Sequence, residues 1–207
     1  EGVDERQMVI DAVEQLVSSG RIGRGVRYSR APMKRLRVET DKGILSVIPG
    51  LIGRARENGR TSFMLKGKQR DLLGVSAVLL GPDGNVLDGG QGERMEAVQS
   101  GPSELSGLTT KKYDHAEINL LKKAGNAGLD RWRDYTLVVS LEPCDMCAKA
   151  IIARGIKKVV IAALDPALDV RTRGVRALMS AGIEVTIAPE EMQKEALAHI
   201  KRHFRIE

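Results

Sequence analysis

Three short apolar runs in the second half of the chain alternate with helix-forming segments. The runs are rich in Val, Ile and Leu, as buried strands are, and they cover residues 135–141, 158–164 and 183–187. The predicted helices that follow them cover residues 144–154, 173–180 and 189–203. Because a strand–helix–strand crossover is right-handed, we expect three parallel strands in one sheet with helices on both faces.

A β-hairpin is predicted before these strands. Residues 75–80 and 85–88 flank the turn Gly81-Pro82-Asp83-Gly84, and a Gly-, Ser- and Thr-rich loop from residue 89 to about residue 112 precedes a helix over 115–124. The predicted fold class is α/β. It has three α/β/α layers around a mixed five-stranded sheet, in which the antiparallel hairpin is followed by parallel strands.

Residues 1–70 carry weaker signals and are interpreted as an N-terminal extension, with the main domain at 71–207. A capping-box pattern and helical spacing predict a helix over residues 4–19. Further on, the mixed periodicity is compatible with a strand at 43–47 and a helix near 51–57.

Positive charge is concentrated in the extension. The net charge of the whole chain is +6, whereas the segment from Arg21 to Arg37 has no acidic residue. Its basic residues are Arg21, Arg24, Arg27, Arg30, Lys34, Arg35 and Arg37. Any attraction to nucleic acid should therefore arise there, although an aromatic content of 3% argues against binding by base stacking.

Several classes of protein are disfavoured by the sequence. Hydrophobic residues at 42% and charged residues at 29% argue against wholesale disorder. The absence of a long apolar run predicts no membrane partner, and with no opening signal peptide we expect a cytoplasmic location. The chain has only two cysteines, Cys144 and Cys147, whose C-x-x-C spacing favours a metal or redox role over a structural disulfide.

Two short motifs suggest a metal site. His115-Ala116-Glu117 and Pro143-Cys144-Asp145-Met146-Cys147 each stand at the start of a predicted helix, which brings one imidazole and two thiols together. Three protein ligands leave a fourth tetrahedral position for water, as in catalytic zinc sites. Glu117, two residues beyond His115, is the predicted general acid and base. Alternatively, the cysteines are small core residues and His115 is an ordinary helix-start residue.

With these motifs the chain resembles the zinc-dependent cytidine/deoxycytidylate deaminase superfamily over about residues 74–190. The resemblance implies Zn²⁺ as cofactor, hydrolytic release of ammonia from an amino-substituted nucleobase, and a homo-oligomer. Residues 115–118 and 140–148 look most like tRNA adenosine and deoxycytidylate deaminases. By contrast, residues 163–166 and 181–185 are similar to riboflavin-biosynthesis deaminases, which usually space their cysteines more widely.

Five further residues are candidates for substrate contact: Asn119, Asp145, Asp165, Arg171 and Arg173. Each has a simpler interpretation. Asn119 would support its own helix, Asp145 would cap the next one, and the other three would belong to a solvated loop.

We expect the substrate to be a free pyrimidine nucleotide or a related small molecule. The main alternative is a polynucleotide, either tRNA adenosine or single-stranded cytosine, bound through the segment from Arg21 to Arg37. A third interpretation is a catalytically silent, zinc-stabilised interaction module. The presence of Glu117 counts against this third interpretation, since a structural zinc site needs no general acid or base.

Overall fold

The computed structural model describes residues 36–65, 68–90, 92–100, 115–166, 172–198 and 200. The strands are β1 (Arg37–Val38), β2 (Ser62–Leu65), β3 (Lys68–Asp71), β4 (Ser76–Leu80), β5 (Glu96–Val98), β6 (Thr136–Val139), β7 (Lys158–Ile161) and β8 (Glu184–Ile187). The helices are α1 (Lys42–Asn58), α2 (Ala116–Asn126), α3 (Asp145–Arg154), α4 (Arg173–Ser180) and α5 (Glu190–Ala198). A 3₁₀ turn covers Trp132–Asp134.

The main sheet has six strands in the order β1-β8-β7-β6-β4-β5, and β2 and β3 form a separate antiparallel pair. As predicted, β6, β7 and β8 are parallel, and β1 extends them in parallel along β8. β4 runs antiparallel to both β6 and β5. The mixed α/β class is confirmed, but the prediction of five strands was one too few because Arg37–Val38 lies in the segment interpreted as an extension.

The partner of β4 also differs from the prediction. Residues 85–88 form only isolated bridges, Leu80 with Val86 and Asp88 with Arg94, while β5 pairs along β4. Met95, just before β5, is fully buried and its carbonyl accepts a hydrogen bond from the backbone N–H of Leu79. Local composition predicted a loop here, but burial of Met95 and pairing with β4 make residues 96–98 a strand.

Two apolar layers lie on opposite faces of the sheet. Leu137 and Val139 of β6 pack with residues of α2, α3 and α4, whereas Val138 packs with residues of α1 and α5. This alternation is the ordinary period of a strand. It gives the three-layer α/β/α arrangement that the sequence predicted.

Part of the predicted extension packs into the domain. Asp41 Oδ1 caps α1 by accepting from the Ile44 N–H at 3.1 Å, and Ile48, Leu51 and Ile52 are fully buried against the sheet. The predicted strand at 43–47 was wrong, because apolar residues at helical spacing continue through it. The basic residues before Leu36, and the predicted helix at 4–19, lie outside the described residues.

Among the described helices, none combines the length and apolar character needed to cross a membrane.

Candidate active site at a histidine–cysteine cluster

The predicted metal ligands lie at the starts of two neighbouring helices. His115 is the N-cap residue of α2, Cys144 is the N-cap residue of α3, and Cys147 lies in the first turn of α3. His115 Nδ1 is 3.6 Å from Cys144 Sγ and 3.4 Å from Cys147 Sγ. One ligand atom from each residue lies within 4.8 Å of the others, so the three side chains converge on one point.

The pKa values of the two thiols in the cluster are shifted in opposite directions. Hydrogen bonding to Cys147, aided by His115, lowers the pKa of Cys144 to about 4. The pKa of Cys147 is raised, first by this same hydrogen bond and then by its own burial. Cys144 is therefore the more acidic thiol of the pair.

Glu117 lies beside the thiols on α2. Its side chain is almost completely buried, with an exposure of 2%, and Oε2 has no hydrogen-bond partner among the described residues. Burial is the main cause that raises the pKa of Glu117 to about 7. A buried carboxyl oxygen without a partner is costly for a purely structural residue, and such an atom usually serves chemistry or an unseen ligand.

This donor set fits a zinc ion. Zinc prefers nitrogen and sulfur ligands in a tetrahedral arrangement, and two thiolates with one imidazole form a three-ligand site of the catalytic type. The Glu117 carboxyl lies close enough to interact with His115, Cys144 and Cys147, and its Oε2 has no hydrogen-bond partner among the described residues. The residues present therefore suit zinc with one position open.

Glu142 is a buried residue of the site that the sequence analysis missed. Its Oε2 accepts from the backbone N–H groups of Thr172 at 2.9 Å and Asp165 at 3.3 Å, and its Oε1 accepts from that of Val175 at 3.3 Å. Burial raises the pKa of this carboxyl in spite of these donors. The available signal was an acid between Leu141 and Pro143, directly after a buried strand.

Three of the predicted substrate residues lie around the cysteines. Asp145 Oδ2 pairs with the Arg173 guanidinium at 3.2 Å, while Asp145 Oδ1 is buried without a described partner. Asp165 is joined to this region through its backbone bond to Glu142. The structure thus brings Asp145, Asp165 and Arg173 to the same end of the sheet.

The other two candidates are placed differently. Asn119 Nδ2 donates to the Val98 carbonyl at 2.9 Å and to Ser100 Oγ at 3.1 Å, which joins α2 to β5. Its side chain also lines a surface cavity of about 680 Å³ with Lys122 and Asn126. Arg171 lies outside the described residues.

Comparison with known families identifies a related region. Residues 62–163 match the model of the cytidine and deoxycytidylate deaminase zinc-binding region, and this range includes Glu117 and all three predicted metal ligands. Over these residues, just under half of its length, the chain is similar to the cytidine and deoxycytidylate deaminase family. This confirms both the predicted resemblance and zinc as the cofactor of the family site.

Two relatives of the chain are a pyrimidine deaminase and a riboflavin biosynthesis protein. The chain is 40% identical over 103 residues to the diaminohydroxyphosphoribosylamino-pyrimidine deaminase of Buchnera aphidicola, covering 46% of this chain and 66% of that protein. It is 43% identical over 83 residues to the riboflavin biosynthesis protein RibD of Synechocystis, covering 37% and 22%.

A solved structure gives the same relationship. The diaminohydroxyphosphoribosylaminopyrimidine deaminase/5-amino-6-(5-phosphoribosylamino)uracil reductase of Thermotoga maritima superposes with a TM-score of 0.54 at 27% identity, covering 79% of this chain and 42% of that chain. The chain spans about two thirds of the Buchnera relative and under half of the Synechocystis and Thermotoga proteins.

Proposed function

We propose that this chain catalyses hydrolytic deamination of an amino-substituted pyrimidine carried on a small nucleotide-like molecule. The observation that carries the proposal is the pairing of a three-ligand nitrogen–sulfur cluster with the buried carboxyl of Glu117, whose Oε2 has no partner among the described residues. A zinc ion in this cluster would supply the Lewis acidity that activates water for attack on the carbon bearing the amine.

The protein's own residues would transfer the protons and hold the metal ligands in position. Glu117 would take the proton of the attacking water and deliver it to the departing amine, since its carboxyl group lies beside the cluster and one of its oxygens has no partner among the described residues. His115, Cys144 and Cys147 would hold their positions because each is fixed at or near a helix N-terminus. Burial of Glu117 keeps bulk water from exchanging protons with it.

Substrate contact is best supported for Asp145 and Arg173. Asp145 directly follows the ligand Cys144 and has one buried carboxylate oxygen without a described partner, so a donor on the substrate would satisfy it. Arg173, paired to the other oxygen, is half-exposed and offers a guanidinium group to an anionic substituent. Asp165 is a third candidate at this end of the sheet.

The Buchnera relative at 40% identity is named as a deaminase of a phosphoribosylamino-pyrimidine, which supports a pyrimidine as substrate and makes that compound the first to test. The test is a screen of free bases, nucleosides, nucleotides and phosphoribosylamino-pyrimidines for ammonia release, with oligonucleotides included. Ammonia from a small pyrimidine nucleotide is the expected result. Release from oligonucleotides alone, or from no compound, would contradict the proposal.

A polynucleotide substrate is the second candidate, and the seven basic residues from Arg21 to Arg37 are the observation that favours it. The resemblance to the superfamily supports a homo-oligomer as a further part of the proposal. Light scattering coupled to size-exclusion chromatography measures the assembly directly. A strictly monomeric protein with full activity would contradict that part.

A further inference from the structure

Four consecutive residues at the start of α4 contact the segment that carries the cysteines. We call residues 172–175 the α4 strap and residues 142–147 the cysteine segment. The N–H groups of Thr172 and Val175 donate to Glu142, and Arg173 pairs with Asp145. Gly174 packs so closely that a Cβ atom there would overlap the carbonyl oxygen of Pro143.

Thr172 has a backbone conformation that indicates constraint. Its φ of 66° places it in the left-handed region, and among the described residues it is the only non-glycine residue with a positive φ. This region is unfavourable for a β-branched side chain, costing on the order of 1–3 kcal/mol, and persists where the surroundings hold it. The 2.9 Å bond from its N–H to Glu142 Oε2 is one such restraint.

Both oxygens of Glu142 act as acceptors of backbone N–H groups. One oxygen serves Asp165 and Thr172 and the other serves Val175, so the carboxylate ties the loop after β7 and the α4 strap to the residue just before Pro143-Cys144. An amide in the same place would present a donor to one of these N–H groups. The arrangement therefore needs a carboxylate and not merely a polar side chain.

We infer that Glu142 is a positioning residue for the zinc site, which it serves by holding the cysteine segment against the α4 strap so that both thiols face His115. The inference builds on the proposed function but concerns metal binding, which is measured without a substrate. Residues that orient metal ligands typically change metal affinity by about 10- to 100-fold when replaced. Glu142 acts here on the backbone that presents Cys144 and Cys147.

The chain supplies a matched control in Glu39. This carboxylate is also buried and accepts backbone N–H bonds from Thr40 and Asp41, together with the hydroxyl of Thr186. Thr186 is level with Val160 in the sheet, on the face covered by α1. Glu39→Gln thus disturbs a comparable buried carboxylate that makes no described contact with the cysteine segment.

The experiment measures zinc affinity of the full chain by chelator competition, and the visible absorption of the cobalt(II)-loaded protein, whose bands report thiolate ligation and geometry. Glu142→Gln should bind zinc about 10- to 100-fold more weakly and shift the cobalt bands. Glu39→Gln should lose thermal stability with both readouts unchanged. Wild-type affinity and spectrum in Glu142→Gln, or equal losses in both variants, would overturn the inference.

A second variant, Glu142→Asp, tests the inference if Glu142→Gln does not fold. Glu142→Asp keeps the charge but is shorter by one methylene, so it should fold and still bind zinc more weakly than wild type. Normal affinity in the Asp variant, or unfolding of both variants, would overturn a role specific to the metal site. If wild type binds zinc tightly yet deaminates nothing, the proposed function fails while this inference stands.

Discussion

Cys147 Sγ lies 3.4 Å from His115 Nδ1, across the gap between the first turns of α3 and α2. Since these atoms and Cys144 Sγ converge, protein purified without chelator should contain about one zinc per chain. Cys147→Ala should lose the metal and lower the melting temperature, because the ion links two helix starts. Elemental analysis and thermal unfolding check this. Zinc retained in full by Cys147→Ala would contradict it.

Glu117→Gln should reduce turnover by about 10²- to 10⁴-fold or more, because Gln cannot exchange the proton that Glu117 is proposed to move. Zinc content and the circular dichroism spectrum should stay at wild-type values, since Glu117 is not a ligand. Glu57→Gln, an exposed change on α1 where Glu57 pairs with Arg60, is the control and should have normal turnover. Substantial turnover by Glu117→Gln on the identified substrate would refute the assigned role.

Stability should fall in acid partly through Glu39. Burial alone would raise its pKa, but hydrogen bonds from the Asp41 N–H, Thr186 and Lys158 outweigh this and hold the pKa below the ordinary 4.5. Because the folded-state pKa is depressed, the stabilisation is present above the unfolded pKa and is lost as pH falls through the folded pKa.

Urea unfolding of wild type and Glu39→Gln at pH about 6 and about 3.5 tests this. The facing charged group is Lys158, whose Nζ lies 3.0 Å from Glu39 Oε2. Wild type should lose more unfolding free energy between these pH values than the Gln variant does. Equal losses would rule out the proposed contribution of Glu39.

Gly174→Ala should destabilise the protein by about 1–3 kcal/mol, because its methyl group would overlap the Pro143 carbonyl oxygen and that backbone must shift. Gly53→Ala is the matched control. Gly53 is inside α1, and apart from its chain neighbours and the helix's own backbone no described atom lies within 4 Å of the added carbon, so the change should stabilise by up to about 1 kcal/mol. Thermal melts of the two variants should therefore shift in opposite directions.

The basic segment distinguishes a small substrate from a polynucleotide. For a nucleotide with one phosphate, turnover should depend weakly on salt, and replacing Arg21, Arg24 and Arg27 by Gln should change it little. A salt series with oligonucleotide and mononucleotide substrates measures both. If turnover of oligonucleotides fell steeply with salt and the triple variant lost this dependence, the substrate would be a polynucleotide.

The sequence predicted the parts of the fold that rest on local pattern. The apolar runs predicted β6, β7 and β8. The histidine and cysteine motifs predicted metal ligands, and the structure brings these three side chains together. Local sequence pattern does not predict pairing between distant segments. β5 is a strand because it pairs with β4 beside the buried Met95, and β1 is a strand because it pairs with β8.

The same reason explains the missed site residue. Glu142 has no motif of its own, and its role depends on N–H groups 23 to 33 positions away in the chain, which only the folded backbone brings near. Asn119 is the opposite case, a residue that the sequence indicated and whose described hydrogen bonds go elsewhere. Its spacing from His115 suggested a place at the site, but its amide hydrogens bind Val98 and Ser100.

The sheet separates the metal-site residues from the smaller of its two apolar layers. Ile48 and Leu51 pack on the face opposite α2 and α3, so cavities introduced there lower the free energy of unfolding without reaching the thiols. The melting temperature can therefore be changed from the α1 side without moving the thiols, whereas loss of the metal would lower it from the opposite face. A protein engineer who seeks thermostability should redesign the α1 side first, because changes there leave the residues of the metal site in place.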